Sequence, residues 1–226
     1  MHPISVSQNM KITDFINTDI KPLTLKNTLK QAKDSFKKNE ANHLAVIDTH
    51  LLGMLSKEDI HDLDLAKNIE DYQYLLDLFY VKNSYNWLEV LGLFAQNQTD
   101  LMPIVDDENQ YKGCYLLEDL LNFIYETPFL TEPGNILIIE HNTTDYSMSK
   151  ICQIVESNDG KLLGAFISES NPDTVQITLK IGPIAINPII QSFRRYGYQI
   201  VSEHEEDKLM SNLKDRSDYL NRYLNI

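Results

Sequence analysis

Residues 53–60 read Gly-Met-Leu-Ser-Lys-Glu-Asp-Ile, and residues 113–120 read Gly-Cys-Tyr-Leu-Leu-Glu-Asp-Leu. Each stretch is typical of a short apolar strand that opens with glycine and leads directly into a helix. In the first copy, Ser56 is placed to cap that helix and Asp59 to complete a capping box. Because a helix N-terminus carries free N–H groups and a partial positive charge, an oxygen-rich ligand could bind there. Leu116 replaces the serine in the second copy, so the two copies are predicted not to be equivalent.

The elements around these two stretches also recur about sixty residues apart, which indicates a duplication. A strand, a capped helix and two further strands make up each copy. The predicted helix caps Thr28 and Asn86 lie 58 residues apart (86 minus 28), whereas Gly53 and Gly113 lie 60 apart (113 minus 53). The second hairpin has therefore gained two residues. Matching core and cap positions predict two similar half-domains packed together.

The pattern changes after the proline-punctuated segment 127–134, which we interpret as a domain boundary. Residues 174–181 alternate polar and apolar side chains, as expected for a half-buried strand. Asn187 followed by Pro188 is typical of a helix start, and Gly197 of the end of that helix. With further strands predicted at 136–139, 162–167 and 198–201 and a helix at 148–155, the order of elements is βαββαβ.

The two ends of the chain differ from this pattern. Residues 1–10 show no periodicity and are predicted to be a loose tail. Residues 205–226 are typical of a charged amphipathic helix, with Leu209, Leu213 and Leu220 on one side. Its polar face carries acidic as well as basic residues, which favours a docked or dimer-forming helix over a membrane-binding one.

Composition limits the classes of function. With 42% hydrophobic and 23% charged residues among 226, the chain is typical of a soluble globular protein. The formal net charge of −13 opposes binding to nucleic acid. Neither a membrane span nor a signal peptide is evident, so we expect a cytoplasmic protein without a membrane partner. The two cysteines share no metal-ligand spacing, and they are predicted to be reduced, buried thiols, with no metal site.

The motif Gly-x-x-Ser-x-x-Asp at a strand-to-helix turn, preceded by an apolar run that ends in Asp and repeated about sixty residues later, resembles the CBS domain pair, or Bateman module. Residues 134–204 resemble an ACT domain through their element order, and the whole resembles bacterial CBS-CBS-ACT proteins of the acetoin-utilisation type. The resemblance implies an α+β fold, with a tail at 1–10, CBS repeats at 11–66 and 67–128, a ferredoxin-like ACT-type domain at 134–204 and a C-terminal helix at 205–226.

The resemblance also implies a ligand site in clefts between the two halves. Such pairs bind adenosine-type ligands, here AMP, ADP, ATP or S-adenosylmethionine. Asp59 would bind the ribose hydroxyls, Ser56 would lie near ribose or phosphate, and the backbone of residues 43–45 would face the adenine. The ligand-binding residues expected on this basis are Asp59, Ser56, Lys57, His43, Leu44, Ala45 and Asp119.

Simpler explanations exist for the same residues. Ser56 and Asp59 are also explained by a capping box alone, and Asp119 by a first-turn charge that complements the helix dipole. No nucleophile elbow or Walker-type loop is present, so we predict no catalytic residue. The loop of residues 141–146 lacks the glycine of amino-acid-binding ACT domains, so amino-acid binding is not expected.

These sequence features are consistent with two functions. The first is a non-catalytic regulatory sensor, a homodimer that binds an adenosine-containing ligand. The alternative is a ligand-independent homo-oligomeric scaffold or protein-interaction module, which would have an unidentified protein partner.

Overall fold

The computed structural model describes residues 11–202. The chain folds into two compact units, residues 1–125 and 126–226. The mixed α+β class predicted from the sequence is confirmed. The predicted tail at 1–10 and the predicted helix at 205–226 lie outside the described residues.

Unit 1 (residues 1–125) contains the two predicted repeats, each with a three-stranded sheet. In each sheet the central strand pairs in parallel with the first and antiparallel with the third. Short 3-10 helices lie at Ile12–Phe15 and Ile69–Leu75. The repeats comprise β1 (Leu23–Thr24), α1 (Leu29–Asn39), β2 (His43–Ile47) and β3 (Leu51–Ser56), then β4 (Val81–Lys82), α2 (Trp87–Gln96), β5 (Leu101–Val105), β6 (Tyr111–Leu116) and α3 (Leu117–Tyr125).

The capping boxes predicted for α1 and α2 are confirmed. Thr28 Oγ1 accepts a hydrogen bond from Gln31 N at 3.2 Å, and Gln31 Oε1 accepts one from Thr28 N at 2.9 Å. Asn86 and Glu89 make the same pair of bonds at 3.1 and 2.8 Å. Each box satisfies N–H groups that a helix start leaves unpaired. The hairpins also differ as predicted, because the β2–β3 turn spans residues 48–50 and the β5–β6 turn residues 106–110.

The prediction of a helix directly after Ser56 is wrong. Residues 57–62 form successive turns, in which His61 N donates to Glu58 O at 3.1 Å. A helix follows the sheet only in the second repeat, where α3 begins at Leu117. Aspartate side chains can compete with helical bonding and favour turns. Asp64 Oδ1 accepts from Ala66 N at 3.0 Å and so supports a turn.

The two repeats exchange strand segments reciprocally. Asp77, which precedes β4, exchanges two backbone hydrogen bonds with Met54 of β3, at 2.8 and 3.0 Å. Asn17, which precedes β1, makes the same exchange with Cys114 of β6, also at 2.8 and 3.0 Å. Both pairs follow the repeat, since the partners are shifted by 60 residues (77 minus 17 and 114 minus 54). Each half therefore completes its sheet with a segment that belongs to the other repeat.

Unit 2 (residues 126–226) begins with a short helix and continues in the predicted order β, α, β, β, α, β. Its four-stranded antiparallel sheet has the order β10-β7-β9-β8. The core includes Leu137, Ile177 and Phe193, all fully buried. The elements are α4 (Pro128–Thr131), β7 (Asn135–Asn142), α5 (Met148–Glu156), β8 (Leu162–Ser170), β9 (Thr174–Ile181), α6 (Asn187–Arg195) and β10 (Gln199–Ile200).

Candidate ligand-binding site

Ser56 and Asp59 lie on the turn that follows β3. Ser56 is half-buried, and its Oγ accepts a hydrogen bond from Glu58 N at 3.1 Å. Asp59 is exposed, and its carboxylate makes no hydrogen bond or ion pair with any residue between 11 and 202. The capping box predicted for this pair does not form, because no helix begins here. The capping explanation for Asp59 is thus removed, and its carboxylate is free to accept hydrogen bonds from a ligand.

The strand β2 carries the other predicted residues of the first motif. Ala45 pairs with Met54, whose N–H and C=O both bond to Asp77 and so point away from β2. In an antiparallel pair, Ala45 must then direct its own N–H and C=O away from β3. On that side β1 pairs only with Val46 and Ile47. Ala45 therefore directs its N–H toward the part of this edge that β1 leaves uncovered.

The remaining first-motif residues differ in accessibility. The side chains of Leu44 and Ala45 are buried in the unit 1 core, so only their backbone could face a ligand. Lys57 is exposed, and its N–H donates to Asn42 O at 2.8 Å, which fixes its backbone beside β2. His43 is half-buried and pairs with Ser56 across the sheet. The structure thus gathers Ser56, His43 and Lys57 at one end of the β2–β3 pair.

Sequence reasoning missed two partners of His43. Asp100 Oδ2 accepts a hydrogen bond from Asn42 N at 2.7 Å, and its Oδ1 lies 3.5 Å from His43 Nδ1. The Phe79 ring meets the His43 ring edge-on, with centroids 6.3 Å apart. Both partners come from the second repeat, far from His43 in sequence, so no local pattern marks them. The 58-residue offset offers one signal, since it relates Asp100 to Asn42 (100 minus 42).

The surroundings of Asp100 affect its ionisation. Burial raises the pKa of this carboxyl, but the His43 imidazole and the Asn42 N–H more than offset that effect and hold the pKa below its ordinary value. Ionised Asp100 therefore stabilises the fold above about pH 4, and this contribution is lost as pH falls through the lowered folded-state pKa.

We expect the wild type and Asp100→Asn to differ in how their stability depends on pH under acidic conditions. Between about pH 4 and pH 3, the melting temperature of the wild type should fall more steeply than that of Asp100→Asn, which lacks the titrating group. Thermal unfolding followed by circular dichroism over this range measures both slopes. Asp34→Asn, at an exposed position of α1, should keep the wild-type slope. Equal slopes for the wild type and Asp100→Asn would contradict the assignment.

The second motif offers fewer polar groups than the first. Leu116 takes the place of Ser56, and Pro103, opposite Cys114, takes the place of Ala45 and has no N–H. Asp119 lies half-buried in the first turn of α3.

Burial raises the pKa of the Cys114 thiol to about 11. A hydrogen bond with Tyr111 opposes this rise, and the negative charge of Asp119 adds to it. Cys114 is therefore a protonated, unreactive thiol at neutral pH.

Within residues 11–202, no three His, Cys, Asp or Glu side chains are grouped so that they could bind a metal ion. No helix in that part of the chain is both long and apolar enough to span a membrane. Cys114 and Cys152 are both free, the first buried and the second half-buried.

Residues 12–65 match the CBS domain family. This match confirms the CBS domain predicted for the first repeat. It contains every predicted site residue except Asp119.

Several solved structures resemble part of the chain. A CBS domain pair/ACT domain protein from Thermotoga maritima is 28% identical over 52% of this chain and 98% of its own, with a TM-score of 0.47. The CBS domains of a transcriptional regulator from Streptococcus pneumoniae are 18% identical over 51% of this chain and 99% of their own, with a TM-score of 0.45. CBSX2 in complex with AMP is 19% identical over 52% of this chain and 98% of its own, with a TM-score of 0.44. No curated protein gives a significant match.

Proposed function

We propose that unit 1 is a CBS pair that binds one adenosine-containing ligand at the first motif, and that the protein is a non-catalytic regulatory sensor. One observation carries the proposal. Asp59 is an exposed carboxylate with no partner among the described residues, in a region that matches the CBS domain family. A carboxylate in this position can accept hydrogen bonds from both vicinal hydroxyls of a ribose.

The neighbouring groups have complementary roles in this proposal. The Ala45 N–H, which faces the uncovered edge of β2, would donate to a ring nitrogen of the adenine. Ser56 Oγ and the exposed Lys57 ammonium would contact the phosphate or an equivalent polar group. Asp119, in the second motif, would contribute little, because Leu116 and Pro103 remove the polar groups around it.

The electrostatics favour ligands with little negative charge. The chain carries a net charge of −13, and the turn after Ser56 lacks the helix dipole that would attract an anion. We therefore expect AMP and S-adenosylmethionine to bind more tightly than ADP or ATP.

Unit 2 completes the proposal. We propose that residues 134–204 are an ACT-type domain with a ferredoxin-like arrangement. The CBS repeats in this proposal span residues 11–66 and 67–128. The whole protein would be a cytoplasmic homodimer of the acetoin-utilisation type. The βαββαβ order and the β10-β7-β9-β8 sheet support the ACT-type assignment. In this proposal, unit 2 serves assembly and binds no amino acid.

Thermal unfolding with a panel of ligands tests the sensor function. A ligand present at 100 times its Kd should stabilise the protein by about 2.7 kcal/mol. We expect a rise in melting temperature with AMP or S-adenosylmethionine, and no rise with amino acids. A protein whose melting temperature responds to no nucleotide would contradict the sensor and favour the ligand-independent scaffold.

A further inference from the structure

The four-stranded sheet of unit 2 has one face that packs against helices and one that does not share that core. Leu137 and Ile139 of β7 are buried with the apolar side chains of α5 and α6. Because side chains alternate along a strand, Ile136 and Ile138 lie on the opposite face, which we call the outer face. An antiparallel sheet with one solvated face normally presents polar side chains there.

An apolar row nevertheless crosses the outer face. Ile138 pairs with Thr178 of β9, and Thr178 pairs with Phe166 of β8. On the other side of β7, the N–H of Val201 donates to Ile138 O at 2.8 Å, which extends the row beyond β10. Phe166 and Val201 are 49% and 45% exposed. Exposed apolar side chains grouped in this way are typical of a surface that another element covers.

The short helix α4 covers one side of the outer face. The Phe129 ring meets the Phe166 ring edge-on, with centroids 6.3 Å apart, and a Cβ added at Gly164 would collide with it. Lys180 Nζ donates to a carbonyl oxygen of α4 at 3.2 Å. These contacts all involve β8 and β9. The half formed by β7 and β10 is more open, and Ile136 is 48% exposed there.

The chain leaves the described residues at this open half. Ser202 is the last of them, and its Oγ accepts a hydrogen bond from Ile138 N at 3.1 Å. Because β10 runs antiparallel to β7, the chain at Ser202 is directed towards Ile136. The 24 residues that follow (226 minus 202) therefore start beside the exposed apolar side chains of the outer face.

The sequence of these residues fits the open half. Leu209, Leu213 and Leu220 lie on one side of the helix predicted at 205–226. A helix of that length would extend for about 33 Å, and the eight residues of β7 for about 26 Å, so the helix could follow the whole strand. Residues 203 and 204 would connect them, which is a usual length for a strand-to-helix connection.

We propose that residues 203–226 form a helix that packs on the outer face of the same chain, with its leucines over Ile136, Ile138 and Val201. The connection at Ser202 holds the segment close to this face, and such a tether gives it a high effective concentration there. This favours the chain's own segment over a second copy. Burial of apolar side chains on both surfaces would stabilise the contact. The inference goes beyond the proposed function and requires no ligand.

Alkylation of a cysteine placed on the outer face tests the proposal. The full-length Ile136→Cys chain is treated with iodoacetamide, and peptide mass spectrometry follows each cysteine separately. The rate at position 136 should rise by roughly tenfold or more when Leu213→Asp/Leu220→Asp is added, because buried unpaired carboxylates would drive the segment off the sheet. Val201→Cys is the second reporter if Ile136→Cys folds poorly.

Two controls separate uncovering of the sheet from other effects. Ser211→Asp/Asn225→Asp adds the same two negative charges on the opposite side of the predicted helix, so it should leave the rate at position 136 unchanged. The native Cys152 is half-buried on α5 and reports loss of the fold. Its own rate should be equal in all these chains.

Three results would overturn the proposal. The first is a thiol at position 136 that reacts equally fast with and without Leu213→Asp/Leu220→Asp. The second is a thiol that stays protected in that variant, which would indicate another occupant. The third is protection that disappears when the protein is diluted, which would assign the covering segment to a second copy. Because no nucleotide is present, failure of the ligand-binding proposal does not affect these results.

Discussion

Gly113→Ala should lower the free energy of unfolding by about 3 kcal/mol or more, because the site combines a backbone conformation unfavourable for alanine with a steric clash. Gly113 has φ of +143°, and a Cβ there would lie 2.6 Å from Asn17 O and 2.9 Å from Ile16 Cγ2. Those atoms belong to the segment that the first repeat contributes to the second sheet. Denaturant unfolding of the variant and the wild type measures the difference.

A second glycine provides the control for this prediction. At Gly182, an added Cβ would lie no closer than 3.6 Å to Lys161, an ordinary contact distance. Gly182→Ala should therefore change the stability far less. If both variants lose the same stability, the close crossing of the Asn17 segment over β6 is not a structural requirement.

Asp59→Asn should weaken binding of the adenosine ligand by roughly 10- to 100-fold, since hydrogen bonds to a charged group contribute about 1.5–3 kcal/mol each. Asp119→Asn should change the affinity less than about threefold, because the second motif lacks the other polar groups of the site. Titration calorimetry of both variants with AMP or S-adenosylmethionine compares the two motifs.

A variant at the neighbouring residue separates the effect of losing a negative charge from the effect of losing the Asp59 contact. Glu58→Gln removes one negative charge from the same turn, and Glu58 is exposed like Asp59. It should keep the wild-type affinity or raise it slightly for an anionic ligand. An equal loss of affinity in Glu58→Gln and Asp59→Asn would contradict a specific contact between Asp59 and the ribose.

Local sequence patterns predicted most of the secondary structure. Thr28 and Asn86 were identifiable as helix caps because a capping box lies within four residues of chain. The duplication and the longer second hairpin followed from spacing alone.

Contacts between distant parts of the chain could not be predicted in this way. The pairing of Asn17 with Cys114 and of Asp77 with Met54 joins segments that carry no strand pattern of their own. Asp100 reaches Asn42 across 58 residues. The capping pattern at Ser56 predicts a helix, whereas the chain forms turns over residues 57–62.

The stoichiometry of ligand binding tests the central claim most directly. Calorimetric titration of the wild type with AMP or S-adenosylmethionine should give one ligand per chain, because only the first motif combines a free carboxylate with Ser56 and the Ala45 N–H at the edge of β2. Asp59→Asn should remove or strongly weaken that single binding event. Two equivalent ligands per chain, no binding, or undiminished binding by Asp59→Asn would contradict the account.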